Sequence, residues 1–202
     1  MLIEYFKKYY SSDSRTGAYQ IEISLDKYTD VFNEWDPAPF KKRDIDPDFE
    51  EYLKGCSSDI PLKYKIELFL CLPEDQHDLQ KESIIKEGIK TYFQSKIEII
   101  KKTIQFMNKN TGIYALVSVV FLILALSLET SSTSNVFINL LLQGLFIGGW
   151  VFLWEALNIF VFHKSTIKYQ YRVYERLLRS DIEFKYISLA CPRPLANTPD
   201  LL

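Results

Sequence analysis

The sequence predicts an α+β integral membrane protein, in which a two-helix transmembrane hairpin joins a cytoplasmic helical stalk to a small sheet domain built from both termini. Three observations predict it. Two long apolar runs lie close together in the second half of the chain. Three short segments alternate apolar and polar residues, two before those runs and one after. A stripe of apolar residues at helical spacing leads directly into the first run. The implied organisation is a cytoplasmic N-terminal α+β region with a stalk helix over 1–110, a hairpin over 111–162, and a second stalk helix, a third strand and an irregular tail over 163–202.

The elements follow in chain order. Leu2, Ile3, Tyr5, Phe6 and Tyr9 suggest a short interfacial helix, and no apolar stretch there is long enough for a cleavable signal peptide. Ala18–Leu25 places Tyr19, Ile21, Ile23 and Leu25 on one face of a strand. Asp46 followed by Pro47, Glu50 and Glu51 reads as an N-cap, a proline in the first turn and early acids, opening a helix that runs to about Gly55. Leu62–Leu72 alternates again through Leu62, Tyr64, Ile66, Leu68, Leu70 and Leu72. From about Asp78 to Asn110, the residues Ile85, Ile89, Tyr92, Phe93, Ile97, Ile100, Ile104 and Met107 form one helical stripe. Only Gly112 offers a bend before the first span.

That span, Thr111–Leu128, supplies about 18 residues, roughly 27 Å of helix against a bilayer core of about 30 Å. The second, Val136–Phe162, supplies about 27 residues, roughly 40 Å. The short polar segment Glu129–Asn135 between them makes the pair a hairpin and carries no Lys or Arg. Lys96, Lys101, Lys102 and Lys109 precede the first span; Lys164, Lys168, Arg172, Arg176 and Arg179 follow the second. The positive-inside rule therefore places both termini in the cytoplasm of a multi-pass protein of the cell membrane. Beyond it, Ile167, Tyr171, Tyr174 and Leu178 continue a helical stripe, and Asp181–Ser188 alternates Ile182, Phe184 and Tyr186 as the third strand. Pro192, Pro194 and Pro199 interrupt any element in the tail.

Composition narrows the function. A formal net charge of −2 argues against nucleic acid as a partner. Cys56, Cys71 and Cys191 are an odd set without metal or disulfide spacing, as expected of reduced cytoplasmic thiols. Asp44, Asp46 and Asp48 resemble the opening of a calcium loop, but Phe49 stands where its turn glycine belongs and Gly55 where its bidentate Glu belongs, so no metal is expected. With two histidines, His77 and His163, and no nucleophile, phosphate-loop or dinucleotide motif, no catalytic residue and no cofactor is assigned.

What stands out is a carboxylate, Glu155, inside the second apolar run. On a helical wheel Gly144, Gly148, Val151, Glu155, Asn158 and Phe162 share one narrow stripe, and Gly144 and Gly148 have the spacing that lets helix backbones approach. Ala115, Ser118 and Ala125 are the small residues of the first span. If Leu128 lies level with Val136, Glu155 falls opposite Lys109, its candidate partner near the inner membrane boundary, with Trp150 and Trp154 in the aromatic belt. One role for the stripe Gly144, Gly148, Glu155 and Asn158 is to fix the hairpin; the other is to line an oligomeric pore, where a ring of carboxylates attracts cations. The expected function is thus an oligomeric membrane protein, a pore or channel-like assembly of identical copies in lipid, governed by its cytoplasmic domain. The alternative is a non-conducting scaffold or sensor binding a protein or small ligand at the Asn33–Arg43 turn, with Glu34, Trp35, Asp36 and Asp44 as contacts; a membrane-bound enzyme ranks third.

Overall fold

The computed structural model describes residues 6–129 and 136–187. The described elements are α1 (Phe6–Tyr9), β1 (Tyr19–Ser24), α2 (Pro47–Asp59), β2 (Ile66–Pro73), α3 (Leu79–Glu129), α4 (Val136–Asn158), α5 (Lys164–Arg179) and β3 (Asp181–Ile187). A π-helical turn, Ile159–His163, joins α4 to α5. Contacts divide the chain into two units, one taking in the described parts of Met1–Lys96 and Arg172–Leu202, the other Ile97–Tyr171. The tail prolines, Cys191 and the first five residues lie outside the described residues.

The first unit is a three-stranded sheet in the order β1-β2-β3, and both pairings are parallel. The three alternating segments do form the three strands, and the central one is flanked by strands from opposite ends of the chain. Register aligns Ile21, Leu68 and Ile182 in one row and Ile23, Leu70 and Phe184 in the next. Crossover connections between parallel strands are right-handed, so strands added in one direction place their connecting helices on one face. Glu50 of α2, Tyr92 of α3 and Tyr174 of α5 accordingly meet there. The core between sheet and helices holds Leu53, Leu68, Leu70, Ile89, Phe93 and Leu177, none more than 1 % exposed.

Some local details depart from expectation for plain reasons. The Asp46 carboxylate does cap α2, accepting from the amides of Asp48 at 2.9 Å and Phe49 at 3.2 Å. The helix then runs through Gly55 to Asp59, because Cys56, Ser57 and the following Ile60 are buried and hold the last turn in place. Leu62 and Tyr64 belong to a turn before β2, closed by the Tyr64 amide on the Pro61 carbonyl at 3.0 Å. In α5 the core positions are Val173, Tyr174 and Leu177, with Leu178 only half-buried. Strand β2 is not half-buried but covered on both faces. Lys185 lies across Phe69, 3.8 Å from its ring centre, and reaches Glu22 at 2.6 Å, which leaves Phe69 only 7 % exposed. Burial also pushes the Cys71 thiol above its ordinary pKa. Phe6 packs on Tyr19 and Tyr64, so that residue of the N-terminal segment belongs to this unit's core.

The second unit contains the apolar parts of two helices. The 51-residue α3 passes through Gly112 without a break, and α4, the π turn and α5 run continuously as 44 residues. Both are long and apolar enough to cross a membrane. They pack through small residues. Ser118, Ala125, Gly149 and Ala156 are buried, and the Ser118 hydroxyl donates to the Gly149 carbonyl at 2.7 Å. A Cβ on Gly149 would stand 2.9 Å from Leu122, so the approach depends on glycine. Phe152 fills the next layer against Tyr114 and Phe121.

Candidate functional site

The Ser118–Gly149 contact sets the level of Glu155 along the helix pair. Six residues along each antiparallel helix from that contact bring Glu155 level with Gly112, one turn short of Lys109, an offset of roughly 4.5 Å. The expected register is shifted because side-chain packing, rather than the ends of the connecting segment, aligns the helices. Glu155 is exposed, and no ion pair joins it to Lys109 among the described residues.

Gly144 is open, with nothing within 4 Å of a Cβ placed on it, and Gly148 meets only the rim of Phe121 at 3.2 Å. The contact between the helices therefore runs through Gly149, Phe152 and Ala156, about a quarter-turn from the glycine–carboxylate stripe. Gly144, Val151 and Glu155 point away from that contact, while Asn158 is half-buried. Beside them Trp154 is 70 % exposed.

The Asn33–Arg43 turn is fixed by its own hydrogen bonds. The Asp36 carboxylate accepts from the Ala38 amide at 2.9 Å and the Asp44 amide at 2.8 Å. These backbone donors, Asp44 first, and the nearby Arg43 hold its carboxyl below the usual range. Asn33 bonds the Trp35 amide at 2.9 Å, and Arg43 reaches the Ala38 carbonyl at 2.9 Å. Both carboxylate oxygens of Asp36 thus serve the turn itself. What the turn presents is Trp35, 92 % exposed, beside an exposed Glu34. Its base presses on α3 at Gly88, where a Cβ would lie 2.6 Å from the Phe40 carbonyl.

Two arrangements in the sheet unit have no counterpart in the sequence reading. At the carboxyl ends of the strands, the Asp78 amide donates to the Tyr28 hydroxyl at 3.1 Å, and the Tyr28 and Tyr186 hydroxyls lie 2.8 Å apart. Tyr186 donates to Glu82, which makes the middle bond run from Tyr28 to Tyr186 and points the whole chain of donors at one carboxylate. Burial, then the bond to Glu82, raise the pKa of Tyr186. The His77 ring packs edge-on against Tyr186 at 4.6 Å. Beside this relay a cavity of about 170 Å³ is lined by Tyr28, Phe40, Ile84 and Ile85.

At the amino ends of the strands is an open groove of about 850 Å³. Its cationic side chains come from the turn before β2 and from the last two turns of α5. The signal in sequence was present only as scattered charges, since Lys63 and Arg172 belong to segments more than a hundred residues apart.

No known family model, curated protein or solved structure matches the chain.

Proposed function

We propose that the chain crosses the cell membrane as a hairpin with both termini in the cytoplasm, and that copies assemble side by side through the face carrying Gly144, Val151 and Glu155 into a pore or channel-like unit governed by the sheet domain. One observation carries this reading: Glu155 is exposed on an apolar helix and has no ion pair with Lys109 among the described residues. A carboxylate in a membrane segment faces a partner or a water-filled path rather than lipid. A second copy, or water held between copies, supplies what the hairpin itself does not. Gly144 leaves that face open for close backbone approach. A ring of such carboxylates attracts cations.

Native mass spectrometry of the detergent-solubilised chain tests the assembly. A ring of four or more copies is expected, together with cation flux in liposomes that Glu155→Gln reduces. A monomer or dimer that persists across detergents sinks the proposal.

The rival reading, a non-conducting scaffold or sensor, draws on Trp35, presented at 92 % exposure by a turn that is fixed before any partner arrives. It expects Trp35→Ala to abolish a binding event while leaving flux and assembly unchanged.

A further inference from the structure

We infer that the groove at the amino ends of the three strands is a binding site for a phosphate-bearing molecule of about mononucleotide size, independently of whether the hairpin conducts. The charge balance points to an anion. Lys63, Lys65 and Arg172 line the groove, and none of them has an ion pair among the described residues. Of the acids there, Glu67 accepts from Thr16 at 2.9 Å and Glu175 pairs with Arg179 at 2.6 Å. Glu67 and Asp181 then stand as two negative charges against four cations, Lys63, Lys65, Arg172 and Arg176. The carboxyl end of α5 adds about half a negative charge, which does not reverse the excess.

The site is also shaped. Arg176 forms its floor, donating to Ser57 at 2.7 Å and to the carbonyls of Ile60 at 2.9 Å and Pro61 at 3.2 Å. These bonds tie the turn that carries Lys63 and Lys65 to the helix that carries Arg172. The backbone positions that carry the cations are therefore held at fixed spacing, so binding orders side chains alone. Leu62 and Tyr64 give one wall an apolar character, suited to the non-phosphate body of a ligand. A volume of about 850 Å³ falls within the size of small-molecule sites. The shared chemistry is a phosphate ester or diphosphate, whose source is either a soluble nucleotide or the phosphorylated head group of a lipid.

The test is calorimetric titration of the full chain in neutral-lipid nanodiscs with three probes: ATP, inositol trisphosphate and inorganic pyrophosphate. At least one probe is expected to bind with a dissociation constant below about 1 mM. The pair Lys65→Gln and Arg172→Gln should weaken that binding tenfold or more. Both residues are exposed, so the fold tolerates the change. The control pair Lys42→Gln and Lys90→Gln removes the same charge elsewhere and should alter affinity less than twofold. ATP alone identifies a nucleotide, inositol trisphosphate alone a lipid head group, and pyrophosphate binding the phosphate chemistry common to both. Absence of binding by all three probes overturns the proposal, as does equal weakening by the control pair, which would mean diffuse attraction to surface charge.

Discussion

Glu50 is the junction of the three helices on the covered face of the sheet, and replacing it tests how that face is held. Its carboxylate accepts from Tyr92 of α3 and Tyr174 of α5, with Lys54 at 3.4 Å and Lys96 at 3.8 Å. The side chain is 12 % exposed, and the two tyrosines are 6 % and 8 % exposed. Burial opposes its ionisation, but the bonds from Tyr174 and Tyr92 and the charges of Lys96 and Lys54 outweigh that, so its pKa lies below the ordinary glutamate value. A hydrogen bond to a charged group contributes about 1.5–3 kcal/mol. Glu50→Ala removes two and strands two buried hydroxyls, at a cost of about 3–5 kcal/mol; Glu50→Gln keeps one weaker acceptor and costs about 1–2 kcal/mol.

For a chain of this size each kcal/mol moves the melting point by about 2–4 °C, so Glu50→Ala should melt roughly 6–20 °C below wild type in detergent by near-ultraviolet circular dichroism. The lowered pKa fixes the sign of the pH dependence. Stability from Glu50 is present above its unfolded pKa and is lost as pH falls through the folded one, so the gap between wild type and Glu50→Gln closes in acid. A shift below 1 °C for Glu50→Ala at neutral pH, or a gap that stays constant into acid, would refute the assignment.

Other expectations rest on separate features. Gly88→Ala should lower stability by about 1–3 kcal/mol despite its gain in helix propensity, because the new Cβ meets the Phe40 carbonyl, whereas Gly55→Ala, facing open space in α2, should raise it by about 0.5–1 kcal/mol; thermal melts of the pair decide. Ser118→Ala should weaken the helix hairpin by about 0.6 kcal/mol and at most about 1.7 kcal/mol, measured by unfolding in mixed micelles. Burial is the main reason the Tyr186 phenol ionises late and the Glu82 carboxylate the second, so Glu82→Gln should lower its ionisation only part of the way to the ordinary tyrosine range; ultraviolet titration reads the change.

Local signals were legible in the sequence, and relations between distant segments were not. Asp46 and Pro47 announce the start of α2 to the residue because capping is chemistry among neighbours. The stripe through Ile85, Ile89 and Phe93 leads into an unbroken α3 for the same reason. Period-two alternation marks which residues share a face but carries no strand direction, so the parallel order emerges only in three dimensions. Burial of Phe69 was hidden because its cover is Lys185, a residue that sequence patterns assign to solvent. The level of Glu155 along the helix pair depends on Ser118 meeting Gly149, a contact no single helix encodes. The tyrosine relay and the basic groove likewise join side chains from opposite ends of the chain, as Tyr28 and Tyr186 illustrate.

The central position of β2 has a consequence for how the protein is made. One neighbour, β1, precedes it in synthesis, but the other, β3, begins roughly 110 residues after β2 ends. At about 5–20 residues per second, the ribosome needs on the order of 5 to 20 s to deliver that last strand. Both apolar helices are polymerised during the wait, while the row of amides and carbonyls along Leu68, Leu70 and Leu72 has no strand beside it. The newborn chain thus passes through a stage with an open, greasy sheet edge, and chain termination anywhere between Pro73 and Asp181 would leave it in that sticky state.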